Sequence, residues 1–187
     1  MQECKIVYFD KPGVSNTEMT FSLAKERAVA LGIQDILVAS TAGEAGVRAA
    51  EYFKGFRVVA ISHAAGYKKA NVQDMTEENR RAIQDAGGAV LTCLHSFGGL
   101  GRAVRTKYAT FTTEEIIPNV LRLFGQGMKV VVEIAMMAAD AGLVRSGEDV
   151  ISIGGTNHGA DTAVVVTAVN TQRFFDLRVR EILCKPR

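Results

Sequence analysis

The sequence predicts an α/β fold of three layers, α/β/α, in which helices cover both faces of a mostly parallel sheet. The first observation is residues 34–62, where an apolar run, a small polar turn, a helical pattern and a second apolar run follow one another. The second is that both runs lack polar alternation, which is typical of parallel strands covered on both faces. The third is that apolar runs and helical patterns keep alternating along the chain.

Size and composition favour one folded domain over residues 1–187. The chain has 187 residues, of which 48% are hydrophobic and 22% charged, so it can bury a core. A net charge of +2 is too small to indicate nucleic acid as a partner. The longest apolar region, residues 128–144, is interrupted by Glu133 and Asp140 and is shorter than the roughly 20 residues of a membrane span. No membrane partner is therefore expected.

The cysteines argue against a metal site. Cys4, Cys93 and Cys184 are far apart and form no CxxC pair, so neither zinc nor a thioredoxin-like site is predicted. An odd number of cysteines and the lack of a signal peptide predict a cytoplasmic protein.

The opening strand–helix–strand unit is flanked by further elements. A short N-terminal strand is predicted at residues 5–9, and a helix from Ser15 to Leu31 that Gly32 ends. After the opening unit we predict, in order, a helix at 76–87, a strand at 89–92, helices at 112–124 and 128–141, and strands at 150–153 and 163–168. From Phe175 apolar and charged residues alternate, which predicts a half-exposed C-terminal strand at the edge of the sheet and a candidate subunit interface.

The turn after the first strand of the opening unit is the best candidate site. Its residues are Ser40, Thr41, Ala42, Gly43, Glu44 and Ala45. The amides of the last three begin a helix and lack intrahelical partners, so they attract a phosphate or carboxylate. The alternative is that Thr41 and Glu44 form a capping box and that Glu44 pairs with Arg48. Without a Walker lysine or GxGxxG, the turn is not a standard nucleotide fingerprint.

Two histidines follow the next two strands of the predicted sheet. His63 and His95 are therefore expected at the same sheet edge, as candidate catalytic acid–base groups or as hydrogen-bonding partners of a ligand. The alternative is that each caps a strand end or lies in a hydrated loop. Tyr67, in the loop after His63, is a candidate stacking surface for a planar ring, unless it is an ordinary surface tyrosine.

A glycine-rich loop is the second dense candidate site. Gly154 and Gly155 permit a close backbone approach or positive φ, and Thr156 adds a hydroxyl. A strand connection with demanding geometry would explain the same glycines.

The basic residues Arg102, Arg105 and Lys107 are candidate contacts for an anionic ligand, although a solvated helix face explains them more simply. The interleaved aromatic residues that stack on single-stranded nucleic acid are missing, so nucleic acid is not expected.

Three segments of the chain resemble the C-terminal α/β domain of pyruvate kinase. The turn at residues 40–43 between an apolar strand and a helix is similar to that domain's ligand-binding turn. Residues 141–150, AGLVRSGEDV, resemble its entry to a strand, and residues 154–157 resemble its glycine loop. Through FDKPGVSNTE and GGTNHGADTAVVV the whole chain resembles a small family of stand-alone pyruvate kinase α/β-domain-like proteins, found mainly in archaea and bacteria.

The resemblance implies a five-stranded core sheet of order 3-2-1-4-5 whose last strand runs antiparallel. It does not imply pyruvate kinase activity, because the kinase does its chemistry in a barrel that this chain is too short to contain. The kinase's C-terminal domain binds a regulatory sugar phosphate instead. Where the kinase has a basic residue and a hydroxyl, this chain has Glu44 and Ala45. A carboxylate beside a phosphate is unfavourable, which argues against a sugar bisphosphate and leaves room for one phosphate.

Stand-alone relatives are associated with flavin mononucleotide (FMN), so the resemblance implies FMN as candidate ligand and cofactor. The turn at Ser40 would hold its phosphate, Asn16 and Thr17 its ribityl hydroxyls, and His63 and Tyr67 its ring. The expected function is a binding protein for a phosphorylated small molecule. The alternatives are a flavin-dependent oxidoreductase, a lyase or isomerase that uses His63 or His95, and a regulatory or scaffolding subunit without a ligand.

Overall fold

The computed structural model describes residues 3–187, and a seven-stranded sheet organises them. The order across the sheet is β1-β7-β6-β5-β2-β3-β4. Strands β5, β2, β3 and β4 are parallel to one another, and β6 runs antiparallel to both of its neighbours. The strands are β1 Val7–Phe9, β2 Asp35–Ala39, β3 Arg57–His63, β4 Ala89–Cys93, β5 Asp149–Gly154, β6 Thr162–Thr167 and β7 Arg178–Pro186.

The predicted core order is confirmed. When β2 to β6 are counted as core strands one to five, they lie in the order 3-2-1-4-5, and the antiparallel strand is the last of them. The helices connect these strands and cover the sheet. They are α1 Thr17–Leu31, α2 Glu44–Tyr52, α3 Glu77–Asp85, α4 Leu100–Tyr108, α5 Thr113–Arg122 and α6 Gln126–Asp140, with short 3-10 helices at Val14–Asn16 and Thr171–Asp176.

Two hydrophobic clusters, one on each face of the sheet, join the sheet to the helices that cover it and so define the three layers. Ile36 and Val38 of β2 lie in the cluster that contains Phe21 of α1. Leu37, between them in sequence, lies in the other cluster with Val131 of α6. Alternate residues of a strand point to opposite faces, so a run without polar alternation is what a strand buried on both sides requires.

The C-terminal strand does not lie at the edge of the sheet as predicted. It begins at Arg178, after the 3-10 helix that contains Phe175, and lies between β6 and the three-residue edge strand β1. The pairing of β1 starts at Val7 with Cys184, so β1 covers only the last residues of β7. The alternation in sequence reflects the first half of β7, which β1 leaves uncovered.

The basic stretch after Gly99 forms helix α4, for which the sequence predicted no bounds. Gly99 begins it with a φ of 70°, and Ala109 ends it with a φ of 51°. Among residues 3–187, no helix has the length and apolar character needed to cross a membrane.

Candidate functional site

A cavity of about 390 Å³ lies beyond the carboxyl ends of β3 and β4. Its volume falls within the roughly 300–1,000 Å³ of small-molecule sites. The loops after these strands form one wall, and helices α4, α5 and α6 form the others. The lining residues are Ala64, Ala65, Gly66, Tyr67, Leu94, His95, Phe97, Gly98, Gly99, Arg102, Arg105, Phe111, Glu115, Pro118, Asn119, Arg122, Lys129 and Glu133.

The cavity lining carries an excess of positive charge. Four cationic side chains face two carboxylates. Arg105 Nε lies 2.9 Å from Glu115 Oε1, and Lys129 Nζ bonds Glu133. Within residues 3–187, the other two cations, Arg102 and Arg122, form no ion pair with a carboxylate. A concave surface with unbalanced positive charge attracts anionic ligands.

Three aromatic side chains form a cluster where the cavity meets the sheet. The ring centroids of His63 and Tyr67 are 4.2 Å apart, and each ring lies 4.9 Å from that of His95. The Arg102 guanidinium lies 4.5 Å from the centroid of the Tyr67 ring, a cation–π distance. Tyr67 therefore forms part of a packed wall with Arg102, and the two predicted histidines do lie side by side.

His63 is oriented by hydrogen bonds at both ring nitrogens. Its Nδ1 lies 3.0 Å from Asp74 Oδ2, and its Nε2 lies 3.3 Å from Thr41 Oγ1. Burial raises the pKa of Asp74, but the hydrogen bonds from Lys68 and His63 outweigh it, so the pKa is lowered and Asp74 stays ionised. An ionised Asp74 can only accept a hydrogen bond, so the Nδ1–H of His63 donates to it, and in the neutral tautomer with this bond Nε2 is an acceptor directed at the Thr41 hydroxyl.

His95 occupies a different electrostatic environment. Its side chain is only 15% exposed, and Nδ1 lies 3.4 Å from Glu133 Oε2. Burial lowers the pKa of His95 to about 4; Glu133 opposes this shift, and the nearby cations Lys129 and Arg102 add to it. His95 is therefore neutral at neutral pH.

Part of the turn at Ser40 makes contacts that stabilise the fold. Ser40 is buried, and its Oγ accepts from Gly46 N at 2.8 Å, inside helix α2. The capping-box alternative is wrong, because Thr41 Oγ1 contacts His63 and α2 begins after Gly43. The expected pairing of Arg48 with Glu44 is also replaced, since Arg48 bonds Glu18 of α1.

Gly43 allows helix α3 to approach the turn closely. Its φ is +114°, and a Cβ at this position would lie 2.3 Å from Asn79 Cβ. Asn79 Nδ2 donates to Ala42 O at 3.0 Å. Because the C=O and N–H of a trans peptide point in opposite directions, this bond leaves the Gly43 amide pointing away from α3. The phosphate contact predicted for these amides stays a prediction.

The remaining predicted site residues lie at the start of α1 and in the loop after β5, and Thr17 joins these two parts of the chain. Asn16 Nδ2 donates to Lys11 O at 2.8 Å. Thr17 Oγ1 donates to Val14 O and accepts from Ala160 N. A Cβ at Gly155 would lie 2.6 Å from Gly159 O, and one at Gly154 would lie 2.9 Å from a methyl group of Val130. Thr156 N donates to the buried carboxylate of Asp161.

The cavity lies beside these predicted residues rather than around them. All of its lining residues fall between Ala64 and Glu133, so Asn16, Thr17, the Ser40 turn and residues 154–156 lie outside its wall. The turn is connected to the site through the contact between Thr41 and His63. Across residues 3–187, no group of three or more His, Cys, Asp or Glu side chains is placed to hold a metal ion.

Sequence reasoning missed the charged pair in helix α6. Lys129 and Glu133 are four residues apart, so they share one face of a helix that is otherwise largely apolar and buried. Charged residues are rarely fully buried unless they are paired, so two opposite charges on a buried helix face were the signal available in the sequence. Asp74 and Arg122 had no comparable signal, because neither belongs to a recognisable motif.

Comparison with known proteins gives one family match and several weak structural similarities. The family model for the alpha/beta domain of pyruvate kinase matches residues 18–166. A pyruvate kinase from Cryptosporidium parvum is 17% identical with a TM-score of 0.44, and the alignment covers 83% of this chain and 23% of that one. O-ureido-L-serine synthase is 17% identical with a TM-score of 0.32, covering 67% and 48%. NAD+ synthetase from Burkholderia pseudomallei is 16% identical with a TM-score of 0.40, covering 79% and 66%.

Proposed function

This chain belongs to the pyruvate kinase alpha/beta domain family, and from that premise we propose that it binds a phosphorylated small molecule at the carboxyl edge of its sheet. The observation that carries the proposal is the cavity beyond β3 and β4, where Arg102 and Arg122 have no carboxylate partner within residues 3–187. Ligands of open α/β sheets bind outside the carboxyl ends of the strands, where this cavity lies.

The charge of the lining favours a phosphate over an uncharged group. Arg105 and Lys129 are each neutralised by a neighbouring acid, so two guanidinium groups remain to balance a bound anion. A guanidinium binds phosphate through paired N–H donors, and a partly enclosed site strengthens that attraction. A monophosphate at pH 7 carries a charge close to −2, which matches the two unpaired arginines.

FMN is the candidate ligand. It combines one phosphate with a flat ring, and the cavity combines two unpaired arginines with the aromatic side chains of Tyr67 and Phe97. The resemblance to stand-alone relatives favours this ligand on independent grounds. The three cysteines, which are free within residues 3–187, also fit a cytoplasmic, reducing environment.

The test of this proposal is a ligand search followed by a matched pair of variants. Native mass spectrometry of freshly purified protein should show a co-purifying small molecule, and a flavin would add an absorption band at roughly 450 nm. In an FMN titration, Arg102→Ala and Arg122→Ala should each weaken binding by about tenfold or more. Lys54→Ala is the control, because Lys54 is an exposed cation that follows helix α2 and lies outside the cavity lining.

If the arginine variants bind FMN as tightly as the control, the cavity is not the phosphate site. The Ser40 turn would then be the remaining candidate for the phosphate site. Glu44→Gln tests that placement, because Glu44 is exposed in the first turn of α2 and its charge would repel a phosphate there. The substitution should tighten FMN binding if the turn holds the phosphate, and leave it unchanged if the cavity does. No ligand in any of these experiments would favour a regulatory or scaffolding role.

A second candidate function is acid–base catalysis on the bound ligand, as in a lyase or isomerase. It is favoured by the hydrogen-bonded series from Asp74 through His63 to Thr41, which fixes the imidazole with Nε2 as a proton acceptor. His63→Asn should abolish deuterium exchange from D2O into the co-purifying compound while preserving its binding. A flavin bound without any turnover of an electron donor would favour binding over a flavin-dependent oxidoreductase.

A further inference from the structure

The outer faces of helices α4 and α5 expose an unusual amount of apolar surface. On α4 the exposed side chains are Leu100, Val104 and Tyr108, and on α5 and its C-cap they are Ile116, Val120 and Leu123. Their exposed fractions range from 38% to 84%. The spacings of three and four residues place each set on one side of its helix. We refer to these six residues, with Phe111 between the helices, as the outer apolar face.

Apart from Phe111, which also lines the cavity, the outer apolar face lies on the side of the helix pair that is turned away from the cavity. The opposite sides of α4 and α5 supply Arg102, Arg105 and Arg122 to the cavity lining. The helices are held together by the ion pair of Arg105 with Glu115 and by the close approach of Gly101 to Thr112. The pair is thus amphipathic as a unit, with a polar side that faces the site and an apolar side that faces solvent.

The size of this face exceeds what a monomer usually exposes. Seven large apolar side chains at these exposures present on the order of 700 Å². The largest apolar patch on a typical monomer is about 300–600 Å², whereas one side of a standard protein interface is about 800 Å². The outer apolar face therefore has the area that a stable dimer needs.

We propose that the outer apolar face is the interface with a second copy of this chain, related to the first by a two-fold axis. Charge complementarity favours this occupant. Exposed Lys107 lies at the end of α4 and exposed Glu114 at the start of α5, so the face carries one charge of each sign at the end where the two helices join. Under a two-fold axis, α4 of one copy packs on α5 of the other, and each Lys107 meets a Glu114.

The dimer would also complete the ligand cavity. Phe111 lines the cavity and is 73% exposed, so it stands at the rim between the cavity and the outer apolar face. A second copy packed on this face covers Phe111 and closes that side of the cavity to solvent. The inference about the dimer does not depend on which ligand the cavity binds.

The test is the molar mass of the full chain in solution, measured by light scattering after size exclusion and by sedimentation equilibrium at about 100 µM. Wild type should have twice the chain mass of 20.1 kDa. Leu100→Asp and Leu123→Asp should each give a folded monomer. Phe175→Asp is the matched control, because Phe175 is as exposed as Leu100, at 84%, but lies in the 3-10 helix before β7. This variant should stay dimeric.

Each other outcome overturns the proposal. A monomeric wild type at that concentration would exclude the dimer, and binding of that monomer to phosphatidylserine vesicles would assign the face to a membrane. A dimer that survives both leucine substitutions would place the interface elsewhere. Dissociation by Phe175→Asp alone would assign the interface to the C-terminal tail. Circular dichroism confirms that each variant is folded.

Discussion

His95 shows how one buried ring couples the site to pH. Burial holds its pKa at about 4 in the folded protein, below the ordinary value of 6.5. Between these two values the unfolded chain binds the extra proton, so the free energy of unfolding should fall as the pH is lowered from about 6.5 towards 4. The slope from this group approaches about 1.4 kcal/mol per pH unit.

The prediction is that His95→Gln flattens this dependence. Urea unfolding at pH 7 and pH 5 should show a loss for wild type that exceeds the loss for the variant by on the order of 1–2 kcal/mol. His158→Gln serves as the control, because His158 is exposed in the loop before β6. A wild-type curve that is flat across this range would mean that His95 is protonated without penalty in the folded state.

The buried ion pair of Lys129 with Glu133 leads to a second prediction at the residue scale. Glu133 is 3% exposed and also accepts from Phe97 N, so its carboxylate depends on the lysine for charge balance. Lys129→Met should lower the free energy of unfolding by about 3 kcal/mol or more, because it leaves a buried charge unpaired. Adding Glu133→Gln should restore part of that loss, since the amide oxygen still accepts from Phe97.

A thermodynamic double-mutant cycle measures this coupling by chemical denaturation. If the double variant is no more stable than Lys129→Met alone, the carboxylate is not the group that the lysine compensates.

At the scale of elements, the contact between α2 and α3 depends on Gly43. A side chain there meets two obstacles, a φ of +114° and the Cβ of Asn79 at 2.3 Å. Gly43→Ala should therefore destabilise the protein by about 2–4 kcal/mol. Gly32→Ala separates the two effects, because Gly32 has a φ of +67° and nothing within 4 Å of its Cβ position. That variant should lose only about 1 kcal/mol.

Thermal and urea unfolding of the two variants checks the difference. Similar losses at both positions would show that backbone strain, and not the approach of α3, makes glycine necessary at position 43.

Elements were predictable from sequence where a single pattern determined them. The runs that became β2 and β3 are short and have no polar alternation, and α6 is largely apolar over 15 residues, so burial together with length specifies their type. Helix α4 was harder to predict, because its apolar side chains are exposed and it has no buried apolar face that the sequence pattern could indicate. The place of β7 was misjudged because pairing with the three-residue β1 is a long-range contact that leaves no local signal.

At the scale of the whole molecule, the sheet edge was predictable and the cavity was not. The order of strands placed His63 and His95 on neighbouring strand ends, and their rings are indeed 4.9 Å apart. The walls of the cavity come from α4, α5 and α6, whose packing depends on tertiary contacts. In sequence Arg102 was a candidate contact for an anionic ligand that a solvated helix face explained more simply, and Arg122 belonged to no motif. The Ser40 turn was more visible because its whole pattern is local.

The two proposals make a joint prediction about the whole molecule. If a second copy closes the cavity at Phe111, ligand binding and dimerisation share a coupling free energy and must strengthen each other equally. FMN should then lower the dimer dissociation constant, and the monomeric Leu100→Asp variant should bind FMN more weakly than wild type, although Leu100 is outside the cavity lining. Arg102→Ala should weaken FMN binding while the unliganded dimer persists. Sedimentation equilibrium with and without FMN measures the dimer dissociation constant, and FMN titration measures the affinities of the variants. A dimer dissociation constant unchanged by saturating FMN would show that the interface and the ligand site are not coupled.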